Sequence, residues 1–204
     1  SEADFQTPIV KESTNPLMIG KGYVNEYKGE ISNLYLYDRA LSEEEVKWML
    51  RELAFNLCRV YTLERFEGNG IDTGISVGNA RAYRITGSQT MSMYLKPEEN
   101  GRQNPIAKAY AGEGTITLEA DGVLNYYYGR CGGNCGTSQK DYFAYSSGIA
   151  IKFGEWTHVA IVRDNNAKKV FWYFNGTQVS EADFQTPIVK ESTNPLMIGK
   201  GYVN

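Results

Sequence analysis

A chain of 204 residues is long enough for one good-sized domain, or barely two small ones. Its net charge of −3 comes from 21 basic and 24 acidic residues with no basic block, which argues against nucleic acid and anionic lipid as partners. No apolar run reaches the length of a membrane span, and 15 Tyr with 21 Gly favour strands and turns over helices. The chain opens on Ser1 with no visible signal peptide, which predicts a fragment or processed product.

The first 25 residues, SEADFQTPIVKESTNPLMIGKGYVN, recur letter for letter as residues 180–204, starting 179 residues further on. In each copy Asp4-Phe5-Gln6 and Leu17-Met18-Ile19, or their equivalents, read as short strands broken by Pro8, Pro16, Gly20 and Gly22. Gly29 to Tyr37 alternates, with Ile31, Leu34 and Leu36 apolar. A helix follows near residues 42–54. Ser42 can cap it, Glu45 stands at the capping-box position, and Glu43 to Glu45 suit the positive end of the dipole. Val46, Met49, Leu50 and Leu53 give that helix its apolar spacing.

Beyond it the chain is strands and turns. Arg59 to Phe66 is a strand, and Glu67 to Gly70 is a turn. Thr90 to Leu95 is a strand stopped by Lys96-Pro97. Gly114 to Ala120 and Val123 to Tyr128 flank Asp121-Gly122, a pair that predicts a tight hairpin turn with positive φ angles. Trp156 to Arg163 and Val170 to Phe174 are strands that end in the turns Asp164 to Asn166 and Asn175-Gly176. A dozen or so short strands with one helix predict an all-β fold of two antiparallel sheets.

Several strings carry a resemblance. WTHVAIVRD, FWYFNGTQVSE and LMIGKGYVNEYKGEISNLYLYDRALSEEEV together resemble the laminin-G-like branch of the concanavalin A-like lectin/glucanase superfamily. TMSMYLKPEE resembles a strand of that family that usually ends in a Trp-x-Lys-Pro turn, with Tyr94 here in the Trp place, and RFEGNGIDTGI resembles its opening strand. The resemblance covers most of residues 60–204 and 1–48 and implies a jelly-roll sandwich. In the family the LYLYDRALSEEEV string lies at the C-terminal end, whereas here it begins at Leu34. Residues 1–204 therefore read as one circularly permuted laminin-G-like domain, cut so that 1–25 and 180–204 overlap. The overlap fits either a slice of a tandem array or a permuted, swapping unit. Both lead to the expectation that at least one copy pairs across a chain or repeat boundary by strand exchange.

Glucanases on this fold need two carboxylates facing a cleft, usually as a Glu-x-Asp-x-x-Glu string, and no such string occurs. Glu64 and Glu67, three apart, fall on opposite faces of a strand, and His158, the one histidine, reads as structural. The chain reads as non-catalytic. Sugar sites use aromatic faces and polar side chains. The segment richest in both runs from Val123 to Tyr145 and offers Tyr126, Tyr128, Arg130, Asn134, Gln139, Lys140 and Tyr142 as ligand-binding residues. The glycines between Cys131 and Cys135 let a small loop close as a disulfide, which implies an exported protein; two free thiols are the alternative. The family resemblance also implies Ca2+ near the sandwich rim, where Glu67, Asn69 and Asp72 could supply oxygens. Asn175-Gly176-Thr177 matches a glycosylation sequon but also the family's hairpin turn.

Two non-catalytic functions are expected. One is a carbohydrate-binding adhesion module of an extracellular or cell-surface protein, such as a bacterial pilin, with a glycan as partner. The other is an assembly module that oligomerises through the repeated segment.

Overall fold

The computed structural model describes residues 18–20, 27–55, 64–66, 74–132, 142–183 and 190–199. Within them the chain forms thirteen strands, one α-helix and a single 3-10 turn at Arg81–Tyr83. The strands are β1 (Met18–Gly20), β2 (Gly29–Tyr37), β3 (Glu64–Phe66), β4 (Gly74–Gly78), β5 (Gln89–Pro97), β6 (Gln103–Ala109) and β7 (Gly114–Leu118). They continue with β8 (Val123–Gly129), β9 (Tyr142–Ala150), β10 (Thr157–Asp164), β11 (Lys169–Phe174), β12 (Thr177–Asp183) and β13 (Leu196–Ile198); helix α1 is Glu43–Phe55. All the pairings are antiparallel. One sheet has seven strands in the order β1-β4-β13-β6-β7-β8-β9, and the other has six in the order β12-β11-β10-β5-β2-β3. The all-β, two-sheet jelly-roll expectation holds, with its one helix in place.

Alternation builds the core. Ile116 and Leu118 of β7 and Leu124, Tyr126 and Tyr128 of β8 face Met91, Met93 and Leu95 of β5, Val159 and Ile161 of β10, and Val170, Trp172 and Phe174 of β11. Burying such side chains is the main force holding the two layers together, about 1.5–3 kcal/mol for each large one. Polar side chains tie the layers as well. Trp172 donates its Nε1–H to the Tyr145 carbonyl at 3.1 Å, and the Tyr126 hydroxyl donates to Gln89 Oε1 at 2.9 Å.

Arg163, fully buried at the end of β10, donates to the carbonyls of Ile85, Gly87 and Glu113 and to the Tyr126 hydroxyl, at 2.7–2.9 Å. A guanidinium has the fixed fork of donors such a site needs, which a Lys ammonium lacks.

Helix α1 covers the outer face of the six-stranded sheet. Leu41, Val46 and Met49 pack on Ala160, Val162 and Tyr173, with Tyr35, Tyr37 and Phe171 alongside. The capping box forms in both directions: Ser42 Oγ accepts from Glu45 N at 3.2 Å, and Glu45 Oε2 accepts from Ser42 N at 2.9 Å. Arg39 grips the same carboxylate with two bonds, and this pairing, helped by the Ser42 amide, holds the Glu45 carboxyl at about 2.

Two turns show how local chemistry sets the strands. Asn175 (φ 48°) and Gly176 (φ 74°) both take the left-handed region, so the β11–β12 connection is a two-residue hairpin turn. Asn175 Oδ1 accepts from His158 N at 3.0 Å, so the Asn-Gly-Thr string serves the hairpin. The β7–β8 turn differs from the sequence expectation. Only Gly122 (φ 86°) is left-handed, and Gly122 N donates to Glu119 O, so the loop is one residue longer and ends in a glycine bulge.

The two copies of the repeated segment flank one strand. Met18 and Met197 both pair with Ser76, and Ile19 and Ile198 both pair with Ile75, on opposite sides of β4. The expectation from sequence placed one copy across a boundary; within this chain, each copy has its own side of β4.

Candidate functional site

The outer face of the seven-stranded sheet carries an aromatic strip. Strand β8 alternates strictly: Leu124, Tyr126 and Tyr128 point inward, and Asn125 and Tyr127 point outward. Tyr127 stands 5.9 Å from Tyr142 of β9 and 5.0 Å from Tyr110, centroid to centroid. Tyr142 is 38 % exposed, and the other two rings are half-buried.

Polar groups border these rings. The Arg102 guanidinium lies 5.7 Å over the Tyr127 ring and donates to its hydroxyl at 3.2 Å. Arg102 also pairs with Glu119 at 3.5 Å. Glu119 Oε1 accepts from Thr117 Oγ1 at 2.6 Å and from Asn125 Nδ2 at 3.1 Å. Asn104 donates to the Tyr110 hydroxyl at 3.3 Å and to the Ile116 carbonyl at 2.9 Å. These bonds fix side chains before any ligand arrives, which lowers the ordering cost of binding. Burial pushes the Tyr110 hydroxyl up to about 12 and raises Tyr127 as well, so both are neutral donors at ordinary pH.

The structure reassigns two of the residues expected to bind ligand. Tyr126 and Tyr128 do share a face, but it is the inner one, and both are 0 % exposed. Tyr126 is held by Gln89 and Arg163. Tyr128 stacks on Tyr145 at 5.4 Å, with their hydroxyls 3.0 Å apart. They are core residues and cannot stack on a sugar. Leu124 was the signal that could have shown this, since it shares their alternation and belongs inside. By the same token Tyr127, half-buried, is the outward-facing tyrosine of the strand.

Tyr142 sits in the strip. Arg130 is exposed at the end of β8, with its guanidinium 5.9 Å over the Phe143 ring. Asn134, Gln139 and Lys140 lie outside the described residues, as do the calcium candidates Glu67, Asn69 and Asp72. Cys131 is disulfide-bonded, and the other two cysteines, Cys58 and Cys135, lie outside the described residues. Among the described residues no three His, Cys, Asp or Glu side chains converge as a metal set.

A separate cleft of about 430 Å³ is lined by Asp38, Arg81, Arg84, Ile85 and Gly87, none of them part of the strip. His158 lies elsewhere again. It is buried, 2.8 Å from Ser92 Oγ, and burial holds it down at about 4. No helix among the described residues is long and apolar enough to cross a membrane.

Residues 68–204 match the family model described as the concanavalin A-like lectin/glucanases superfamily, in its laminin G type. No curated protein matches the sequence. Among solved structures, the binding domain of Paraclostridial Mosquitocidal Protein 1 matches with a TM-score of 0.50 and 11 % identity, over 89 % of this chain and 44 % of that one. Domain 4 of AbnA, a GH43 extracellular arabinanase from Geobacillus stearothermophilus in complex with arabinotriose, matches with a TM-score of 0.43 and 12 % identity, over 91 % and 86 %. The binding domain of botulinum neurotoxin DC in complex with SialylT matches with a TM-score of 0.38 and 6 % identity, over 61 % and 40 %. The chain thus spans less than half the length of the two toxin chains. At 11 % identity the first of these likenesses is one of fold.

Proposed function

Because the chain belongs to the concanavalin A-like lectin/glucanases superfamily, we propose that it is a non-catalytic carbohydrate-binding module. The observation that carries the reading is the strip of Tyr110, Tyr127 and Tyr142, bordered by Arg102, Glu119 and Asn125. Aromatic faces suit the apolar faces of sugar rings. The fixed amide, guanidinium and carboxylate suit their hydroxyls.

Hydrolysis of a glycosidic bond needs a pair of carboxylates about 5–9.5 Å apart. Glu119 is the carboxylate among the strip residues named, and it is engaged by Arg102, Thr117 and Asn125. That engagement supports binding over catalysis. The disulfide at Cys131 supports an exported setting, and with it a role in adhesion as part of a surface or pilus protein.

A glycan array tests the reading, with the full chain beside its Tyr127→Ala and Tyr142→Ala variants. Binding to one sugar class that both variants lose is the expected result. Absence of binding to every class on the array overturns it.

A further inference from the structure

The slot between β4 and β6 is filled by the second copy of the repeated segment, and its chemistry is specific. Met197 pairs with Ser76 of β4 on one side and Ala107 of β6 on the other, and Gly199 N donates to the Pro105 carbonyl at 2.7 Å. Upstream, the segment is held by a buried ion pair. Lys108 and Glu113 are 1 % and 0 % exposed and 3.4 Å apart. Lys108 Nζ donates to Ser192 Oγ at 3.2 Å, to Asn79 Oδ1 at 2.7 Å and to the Asn194 carbonyl. Glu113 Oε1 accepts from Ser192 N at 2.9 Å. Gly132 (φ 76°) leaves room for the Glu191 carbonyl, which would lie 2.2 Å from any added Cβ. A buried charge without its partners is costly, so this lock depends on its filler.

Every filler residue named here has an identical counterpart in the first copy: Glu12, Ser13, Asn15, Met18 and Gly20 match Glu191, Ser192, Asn194, Met197 and Gly199. The slot therefore cannot tell the copies apart by their side chains. It also meets both tethers. The second copy arrives from β12, while the first leads on to Tyr27, whose N–H already donates to the Gly199 carbonyl at 2.5 Å. With the first copy in the slot, Gly20 would take the place of Gly199 beside the same Tyr27. The two fillings differ chiefly in loop closure, a term that varies slowly with length.

We propose that the β4–β6 slot is an acceptor for the 25-residue segment of a second copy of this chain. Each chain has one slot and two fillers. In a series each chain's second copy enters the next chain's slot, and only the chain whose slot receives no neighbour closes it with its own first copy. Such a contact is head-to-tail, joins chains in series and leaves no slot empty at the end of the series. The inference is independent of the carbohydrate reading, since it uses none of the strip residues.

Three full-length variants test it: Met18→Pro, Met197→Pro and the double variant. Proline removes a ladder hydrogen bond and is excluded from a central strand, so each change disables one filler. Each single variant is expected to melt close to the wild type, because the other copy fills the slot. The double variant should melt at least about 10 °C lower. It should then form a complex with the wild-type chain on native mass spectrometry, and it should regain its melting temperature with a synthetic peptide of residues 180–204 but not with a scrambled one. If the double variant does not fold alone, recovery of its circular dichroism on adding the peptide carries the same meaning. The proposal is overturned if Met197→Pro melts as low as the double variant, or if neither wild-type chain nor peptide binds or restores the double variant.

Discussion

Mild acid should destabilise this domain through His158, the chain's one histidine. Its ring is 1 % exposed, Nε2 is 2.8 Å from Ser92 Oγ, and Nδ1 is buried with no hydrogen-bond partner. Protonation would therefore leave a buried charge whose Nδ1–H has no acceptor, whichever tautomer the neutral ring adopts. Burial accordingly lowers the group from 6.5 to about 4. Above pH 6.5 the ring is neutral in both the folded and unfolded chain, and it contributes no pH dependence. Between 6.5 and about 4 the unfolded chain binds a proton that the folded one does not, so stability falls as pH falls. The full gap is worth about 3 kcal/mol. Urea unfolding between about pH 7 and pH 4.5 should show most of that loss in the wild type. His158→Gln can still hydrogen-bond toward Ser92 but cannot take a proton. The difference between the two chains isolates the histidine from titrating carboxylates. One imidazole resonance in the NMR spectrum reports the same equilibrium directly. A ring that titrates near 6.5 in the folded protein, or an equal acid slope in His158→Gln, would refute the reasoning.

The two faces of β8 should separate by mutation. Tyr127→Ala should weaken binding to the sugar identified by array about tenfold by calorimetry, the loss of about one aromatic contact, while lowering the melting temperature by only a few degrees as its contacts with Tyr110 and Tyr142 are lost. Tyr126→Phe should leave that affinity unchanged but cost about 1–2 kcal/mol in urea unfolding, because Arg163 and Gln89 lose a buried partner. Arg163→Met strands the carbonyls of Ile85, Gly87 and Glu113, and should cost about 3 kcal/mol or more, a drop of roughly 6–12 °C in calorimetry. Gly176→Ala forces a side chain into the left-handed region at φ 74° and should cost about 1–2 kcal/mol, read by the same scans.

The strands legible in the sequence were those with one clean face or a sharp stop. GTITLEA-DG-VLNYYY, WTHVAIVR and VFWYF alternate or end in turn residues, and each is a strand in the structure. The helix was equally plain from its capping box. Strand β6 was missed because Pro105 and Lys108 break its apolar pattern. All seven of its residues are nevertheless buried, and Lys108 is there for its ion pair with Glu113. Strand β9 was missed because it is an edge strand with six exposed residues and Gly148 within it, so no face is strongly apolar. The candidate site was half legible for a related reason. Alternation showed which tyrosines share a face, but choosing the outer face needed Leu124 as the reference. The partners of Tyr127 come from elsewhere: Arg102 precedes β6, Tyr110 follows it, and Tyr142 opens β9. That convergence is a property of the sheet order, which no local pattern states.

Glu113 touches both the inward side of β8 and the repeated segment. Its backbone carbonyl accepts from Arg163, which also holds Tyr126 and lies 5.4 Å over the Tyr128 ring. Its carboxylate accepts from the Ser192 amide and pairs with Lys108. The same short turn between β6 and β7 thus anchors the inward tyrosines of β8 and closes on the segment that fills the β4–β6 slot. Fixing Tyr126 and Tyr128 inward leaves Tyr127 no choice but the outer face, because neighbours along a strand alternate. The repeated segment therefore does more than complete a sheet edge. When it occupies the slot, its Ser192 amide donates to one carboxylate oxygen of the residue whose carbonyl helps set the face on which the aromatic strip stands. A change in who fills that slot keeps these contacts intact, since either copy brings the same Ser and Asn. The proposed exchange of the segment between chains would therefore leave the strip unchanged.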